Sequence, residues 1–135
     1  MNTLKNIFFA ALTAATMASA ANTADAASVS GLWYDHTGRS VIQVSKCGSG
    51  LCGRIVWLKN KTHGSICGTA IIGGGKKVGS SYDTGWIYSP EKGRKYNVEI
   101  TPMGNSLKVM GYAGSKMLSK TMMWRRAPSN LKRCA

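Results

Sequence analysis

The sequence predicts an all-β fold, a small antiparallel up-and-down β-barrel of about eight strands. Three observations point there. Short runs rich in β-branched and aromatic residues recur about every ten residues, with glycine or proline between them. No stretch repeats its apolar residues with a helical period over a useful length. The clearest alternation, Tyr96, Val98 and Ile100 followed by Leu107, Val109 and Gly111, is broken by the turn Pro102-Met103-Gly104-Asn105, a hairpin pattern. In so short a domain, closing the sheet on itself removes the edges that would otherwise pair between molecules.

Residues 1–26 read as a secretory signal peptide. Lys5 gives the positive start, residues 7–17 the apolar run, and Ala18-Ser19-Ala20 and Ala24-Asp25-Ala26 two small-x-small sites. Cleavage is expected after Ala26. The run is shorter than the roughly 20 residues that span a bilayer, so no transmembrane span is expected in the mature chain. The first cysteine is Cys47, far from the cleavage site, which argues against a lipid anchor. Residues 27–135 are then one domain, placed in the periplasm or outside the cell.

Within it, residues 31–35 are a first strand and His36-Thr37-Gly38 a turn. Residues 39–46 carry Val41, Ile42 and Val44. A glycine-rich turn between Cys47 and Cys52 joins them to residues 53–58 as a hairpin. Residues 59–65 form a polar loop holding His63, and residues 69–72 a short strand. Residues 73–81, with Gly73-Gly74-Gly75-Lys76-Lys77, are expected to be a flexible loop. Residues 85–88 are a strand stopped by Ser89-Pro90. After the Tyr96 and Leu107 strands, residues 113–118 are a loop and residues 119–126 the last strand.

Four cysteines in an exported chain, Cys47, Cys52, Cys67 and Cys134, read as two disulfides. Three pairings are open. The four-residue turn favours Cys47 with Cys52, which leaves Cys67 with Cys134. Charge is lopsided: 18 Lys and Arg against 5 Asp and Glu give a formal +13, and removing residues 1–26 takes one of each sign. Such a field favours anionic partners, an envelope polymer or lipid headgroups.

Chemistry-bearing constellations are thin. Paired cysteines offer no thiolate to His36 or His63. The cysteine and histidine spacing does not suit zinc, and no metal or cofactor is expected. Asp35 and His36 are adjacent at the end of a strand, where neighbours face opposite sides. The Gly73–Lys77 run lacks the Gly-Lys-Ser/Thr ending of a phosphate loop. The basic residues sit mainly in loops and are not interleaved with aromatics on one face, so no nucleic-acid partner is expected.

The mature chain resembles the DUF2147 family of exported bacterial proteins, which look like small lipocalin-type barrels. The resemblance rests on six pieces in order. They are Gly31-x-Trp33, the block from Cys47-Gly48 to Leu51-Cys52-Gly53-Arg54-Ile55-Val56-Trp57-Leu58, and Cys67-Gly68. Then come Gly85-Trp86-Ile87-Tyr88-x-Pro90-x-x-Gly93-x-x-Tyr96, Leu107-x-Val109-x-Gly111-Tyr112-x-Gly114, and Trp124-x-Arg126. The family carries an acidic, Asn-Pro-containing segment where this chain has the shorter, basic residues 59–66. The resemblance implies fold and address, and no established activity. Gly31, Trp33 and Arg126 (or Arg125) are what closing such a barrel needs, the guanidinium lying on the indole.

Strand aromatics of a small barrel fill its interior or line a cavity. If a cavity exists, Trp86, Tyr88, Tyr96 and Tyr112 are the expected lining, with Lys76 and Lys77 flanking its mouth. The function expected is non-enzymatic binding of an apolar or amphipathic small molecule. The alternative is a structural or adhesive envelope protein that holds anionic polymers or headgroups through its basic loops.

Overall fold

The alternation of apolar and polar residues closes into a barrel. The structure, a computed structural model, describes residues 28–135; the export signal expected over residues 1–26 lies outside them. Eight strands follow in order: β1 (Gly31–Tyr34), β2 (Ser40–Cys47), β3 (Gly50–Leu58), β4 (Ala70–Val78), β5 (Ser81–Ser89), β6 (Arg94–Met103), β7 (Ser106–Ala113) and β8 (Ser115–Arg126). Each pairs antiparallel with its sequence neighbours, and β8 returns to β1. The result is a closed, lipocalin-like up-and-down barrel. A 3₁₀ helix (Lys61–Ile66) links β3 to β4, its first turn capped by the Asn60 side chain, which accepts from the Thr62 amide.

Antiparallel partners share a face. The pairs Ile100–Val109 and Leu107–Trp124 therefore stack inward, and all four residues are buried. They join Trp33, Ile42, Val44, Leu51 and Ile55 in one core. A smaller apolar cluster lies apart, with Leu32, Val41 and Val56 covered by Tyr34, Trp57, Ala127 and Leu131. The chain after β8 makes that cover. Cys134 donates its amide to Val56 O at 2.7 Å, and a disulfide ties it to Cys67. The second disulfide joins Cys47 to Cys52 across the β2–β3 hairpin, with Cα atoms 5.6 Å apart. In the chain-entropy picture the 67-residue separation of Cys67 and Cys134 stabilises by about 4 kcal/mol, and the short loop by about 2.

One end of the barrel is sealed. Trp33 is fully buried there, and its indole N–H donates to Val29 O at 2.9 Å. The Arg126 guanidinium lies 4.0 Å over that indole and donates to Ser30 O at 2.8 Å and Ser28 O at 2.7 Å. Gly31 is required for two reasons. Its φ is +134°, and a Cβ would occupy the space of the Arg126 guanidinium. Arg125 stacks in the same way on Tyr34, at 5.1 Å. These contacts matter because β1 and β8 pair at only two positions, Trp33–Arg126 and Tyr34–Arg125.

Two segments expected to be loops are strand. Residues 73–78 continue β4, and Ser115 opens β8. The glycines of β4 serve close approach and not flexibility. A Cβ on Gly73 would stand inside the Trp86 indole, and one on Gly50 would collide with the Gly74 carbonyl. The polar loop after β3 is likewise ordered, as the 3₁₀ helix.

Arg126→Lys keeps the charge but loses the planar stack and the forked donors. It is expected to cost about 2 kcal/mol in urea unfolding, and Arg126→Ala more. An unchanged midpoint for the lysine variant would mean that charge alone seals the seam.

Candidate functional site

Strand direction alternates, so the connections fall at two ends. The β2–β3, β4–β5 and β6–β7 turns lie at the sealed end with Trp33. The other four connections surround a cavity of about 570 Å³. That volume is within the roughly 300–1,000 Å³ of small-molecule sites. Its depth is apolar, with Ile42, Ile55, Ile71, Ile87, Met122 and Trp124. Its rim is polar and mostly basic, with His36, Arg39, His63, Lys92 and Lys120 against Asp35 and Glu91.

Asp35 is already engaged. Its carboxylate accepts from the Thr37 amide and hydroxyl, the Arg39 amide at 3.2 Å and the Ser40 hydroxyl at 3.1 Å. It caps the β1–β2 turn, and Glu91 is the other acid of the rim among the described residues. Lys120 is placed by register. It pairs with Gly111, in step with the inward pairs Val109–Met122 and Leu107–Trp124. Gly111 leaves the wall bare there: a Cβ would meet Ile87 at 3.8 Å, an ordinary contact. Above Arg125, β8 has no partner strand on its β1 side among the described residues. The mouth therefore extends sideways, with His36 and Thr37 on one side and Leu118 and Lys120 on the other.

Of the six residues singled out in the sequence for a cavity, Tyr88, Tyr96 and Tyr112 line it. Trp86, Lys76 and Lys77 do not. Trp86 pairs with Gly73, and its indole lies against that glycine's bare backbone with the Lys95 ammonium 4.1 Å above the ring. The inward position is taken by the next residue, Ile87, which is buried in the core. Lys76 and Lys77 pair with Asp83 and Tyr82 beside the β4–β5 turn. That turn is at the sealed end, so they cannot flank the mouth. The basic rim residues went unread in the sequence. Their signal was the parity of the connections: in an up-and-down barrel the first, third, fifth and seventh share an end.

A polar cluster fastens the β7–β8 hairpin to the wall. A bulge between Tyr82 and Gly85 puts Asp83 and Thr84 opposite Glu99, with Thr84 at φ 61°. Asp83 accepts from the Thr84 amide at 2.7 Å, from the Tyr112 hydroxyl at 2.9 Å, and from Lys116. Lys116 is also 3.5 Å from Glu99. Burial pushes the Asp83 carboxyl up, but Lys116 and the donors from Thr84 and Tyr112 outweigh it and hold the group below the usual aspartate value. Its hydrogen bond to Asp83 raises Lys116; burial and the same carboxylate raise Tyr112.

Comparison with known proteins gives a family and a fold. The family model described as "uncharacterized protein conserved in bacteria", DUF2147, matches residues 31–126. Among solved structures the chain is similar to a Helicobacter pylori protein described as belonging to the lipocalin family. The TM-score is 0.61 and the identity 16%, over 76% of this chain and 85% of that one. No curated protein matches.

Asp83→Asn is expected to destabilise the protein by about 1 kcal/mol at neutral pH, discounted for partial exposure. Because the folded-state value is lowered, this contribution is present above the ordinary aspartate value of about 4 and is lost as pH falls through the lowered one. Urea midpoints of wild type and variant should therefore converge in acid. A gap that persists there would deny the carboxylate its role.

Proposed function

This chain belongs to the DUF2147 family of bacterial proteins, and from that premise and the cavity we propose that it is a non-enzymatic binding protein for an amphipathic small molecule. The ligand's apolar body lies in the barrel and its anionic head stays at the rim. One observation carries this reading: a cavity of about 570 Å³, apolar in its depth, opens at the end where basic side chains outnumber acids. Burying an apolar chain there is favourable by about 25 cal/mol per Å² removed from water. Lys92, Lys120 and Arg39 then attract a carboxylate or phosphate without desolvating it fully.

Two disulfides suit an oxidising compartment, so the protein works in the periplasm or outside the cell. The rim acid Asp35 is held as a turn cap, which favours a holding role over acid–base chemistry.

The test uses Trp124, which lines the cavity, as a fluorescent reporter. Palmitate and lysophosphatidylglycerol are expected to give saturable changes. Gly111→Leu should fill the cavity and abolish them while leaving the fold intact. Lys92→Ala with Lys120→Ala should weaken the charged probes about fivefold or more and leave hexadecanol nearly unchanged. If no probe saturates, or if Gly111→Leu binds as well as wild type, the cavity is not the site.

A further inference from the structure

At the mouth end one hairpin stands apart. The β7–β8 register slips after Tyr112: Tyr112 pairs with Ser119, but Ala113 with Ser115. Residues 116–118 are left as a bulged tip. Met117 is 92% exposed and Leu118 71%, more than any other large apolar residue described. Single exposed apolar residues need no explanation. Two adjacent ones are different here, because Lys116 ties the hairpin back to Asp83 on β5 and Glu99 on β6. On or next to the connections at the same end of the barrel are Arg39, Lys59, Lys61, Lys92, Arg94 and Lys120, against the acids Asp35 and Glu91.

We propose that the mouth end docks on an anionic lipid surface, with Met117 and Leu118 inserted among the acyl chains and the surrounding cations on the headgroups. A soluble polyanion would satisfy the cations and leave Met117 and Leu118 in water. A neutral apolar partner would bury the tip and strand the cations. An anionic bilayer surface matches both, because it carries negative headgroups a few ångströms above hydrocarbon. Each basic side chain near such a surface contributes, and the effect fades beyond a Debye length. The sealed end also exposes Val78 and Met103, but they sit on separate hairpins and are less exposed than the tip. Docking in this orientation sets the cavity mouth against the lipid, so an amphiphile passes between bilayer and barrel without crossing water. The docking itself stands whether or not the cavity is filled.

The experiment is co-sedimentation of the disulfide-bonded protein with vesicles of phosphatidylcholine, alone or mixed with phosphatidylglycerol. Wild type is expected to bind the mixed vesicles at low salt, more weakly at high salt, and the neutral ones poorly. Met117→Ser with Leu118→Ser should lower affinity at least about tenfold. The matched sealed-end pair, Val78→Ser with Met103→Ser, should stay within about twofold of wild type. Gly111→Leu should still sediment with the vesicles, which separates this proposal from the cavity reading. Thermal melts check that each variant is folded. Absence of binding to anionic vesicles, or equal losses in the two serine pairs, would overturn it.

Discussion

The barrel depends on one contact, the Arg126 guanidinium lying on the Trp33 indole. β1 is four residues long and meets β8 at two positions, too few for backbone hydrogen bonds alone to hold the seam. The stacked pair does it with side chains, and the same guanidinium gathers the Ser28 and Ser30 carbonyls. Val29 is drawn into the core, and the Trp33 N–H is satisfied by its carbonyl. A charged group is tolerated there because it lies on a π-face and donates to carbonyl oxygens. The sealed end then forces any opening to the other end. The short β1 has a second consequence, since β8 continues above it paired to β7 but with no strand on its β1 side among the described residues, and the mouth extends along that edge.

The walls obey a constraint of their own. Small barrels leave little space between strands and side chains, and glycine is placed where backbone and ring must touch. Gly73 lets Trp86 lie flat on the wall, and Gly111 keeps the cavity open beside Ile87. The disulfides act at the margins. Cys47–Cys52 staples a hairpin at the sealed end, and Cys67–Cys134 holds the terminal segment over the outer apolar cluster. In the chain-entropy picture both act largely on the unfolded chain.

The fold was legible in the sequence because period-two alternation on β6 and β7 is strong and turn residues separate the strands. The family motifs added the barrel type. Gly73 to Gly75 misled for a physical reason: glycine weakens local structure, but in a curved wall it marks close approach. Alternation also explains the division among the aromatics. Trp86 and Ile87 are neighbours, so only one faces in, and the larger residue gave way. The basic mouth was hidden because composition says that loops are charged but not which loops share an end. Strand parity assigns Lys76 and Lys77 to the sealed end and Lys92 and Lys120 to the open one. The tip at Met117 and Leu118 stayed hidden because a register slip leaves no periodic trace.

A barrel sealed at one end is proposed to admit an amphiphile at the other. Amide chemical-shift mapping with lysophosphatidylglycerol below its micelle concentration tests it most directly. Saturable shifts are expected at Ile55, Gly111, Lys120 and Met122, with the amides of Lys76, Lys77 and Trp33 unmoved. Shifts centred on the sealed end, or none at any concentration, would contradict it.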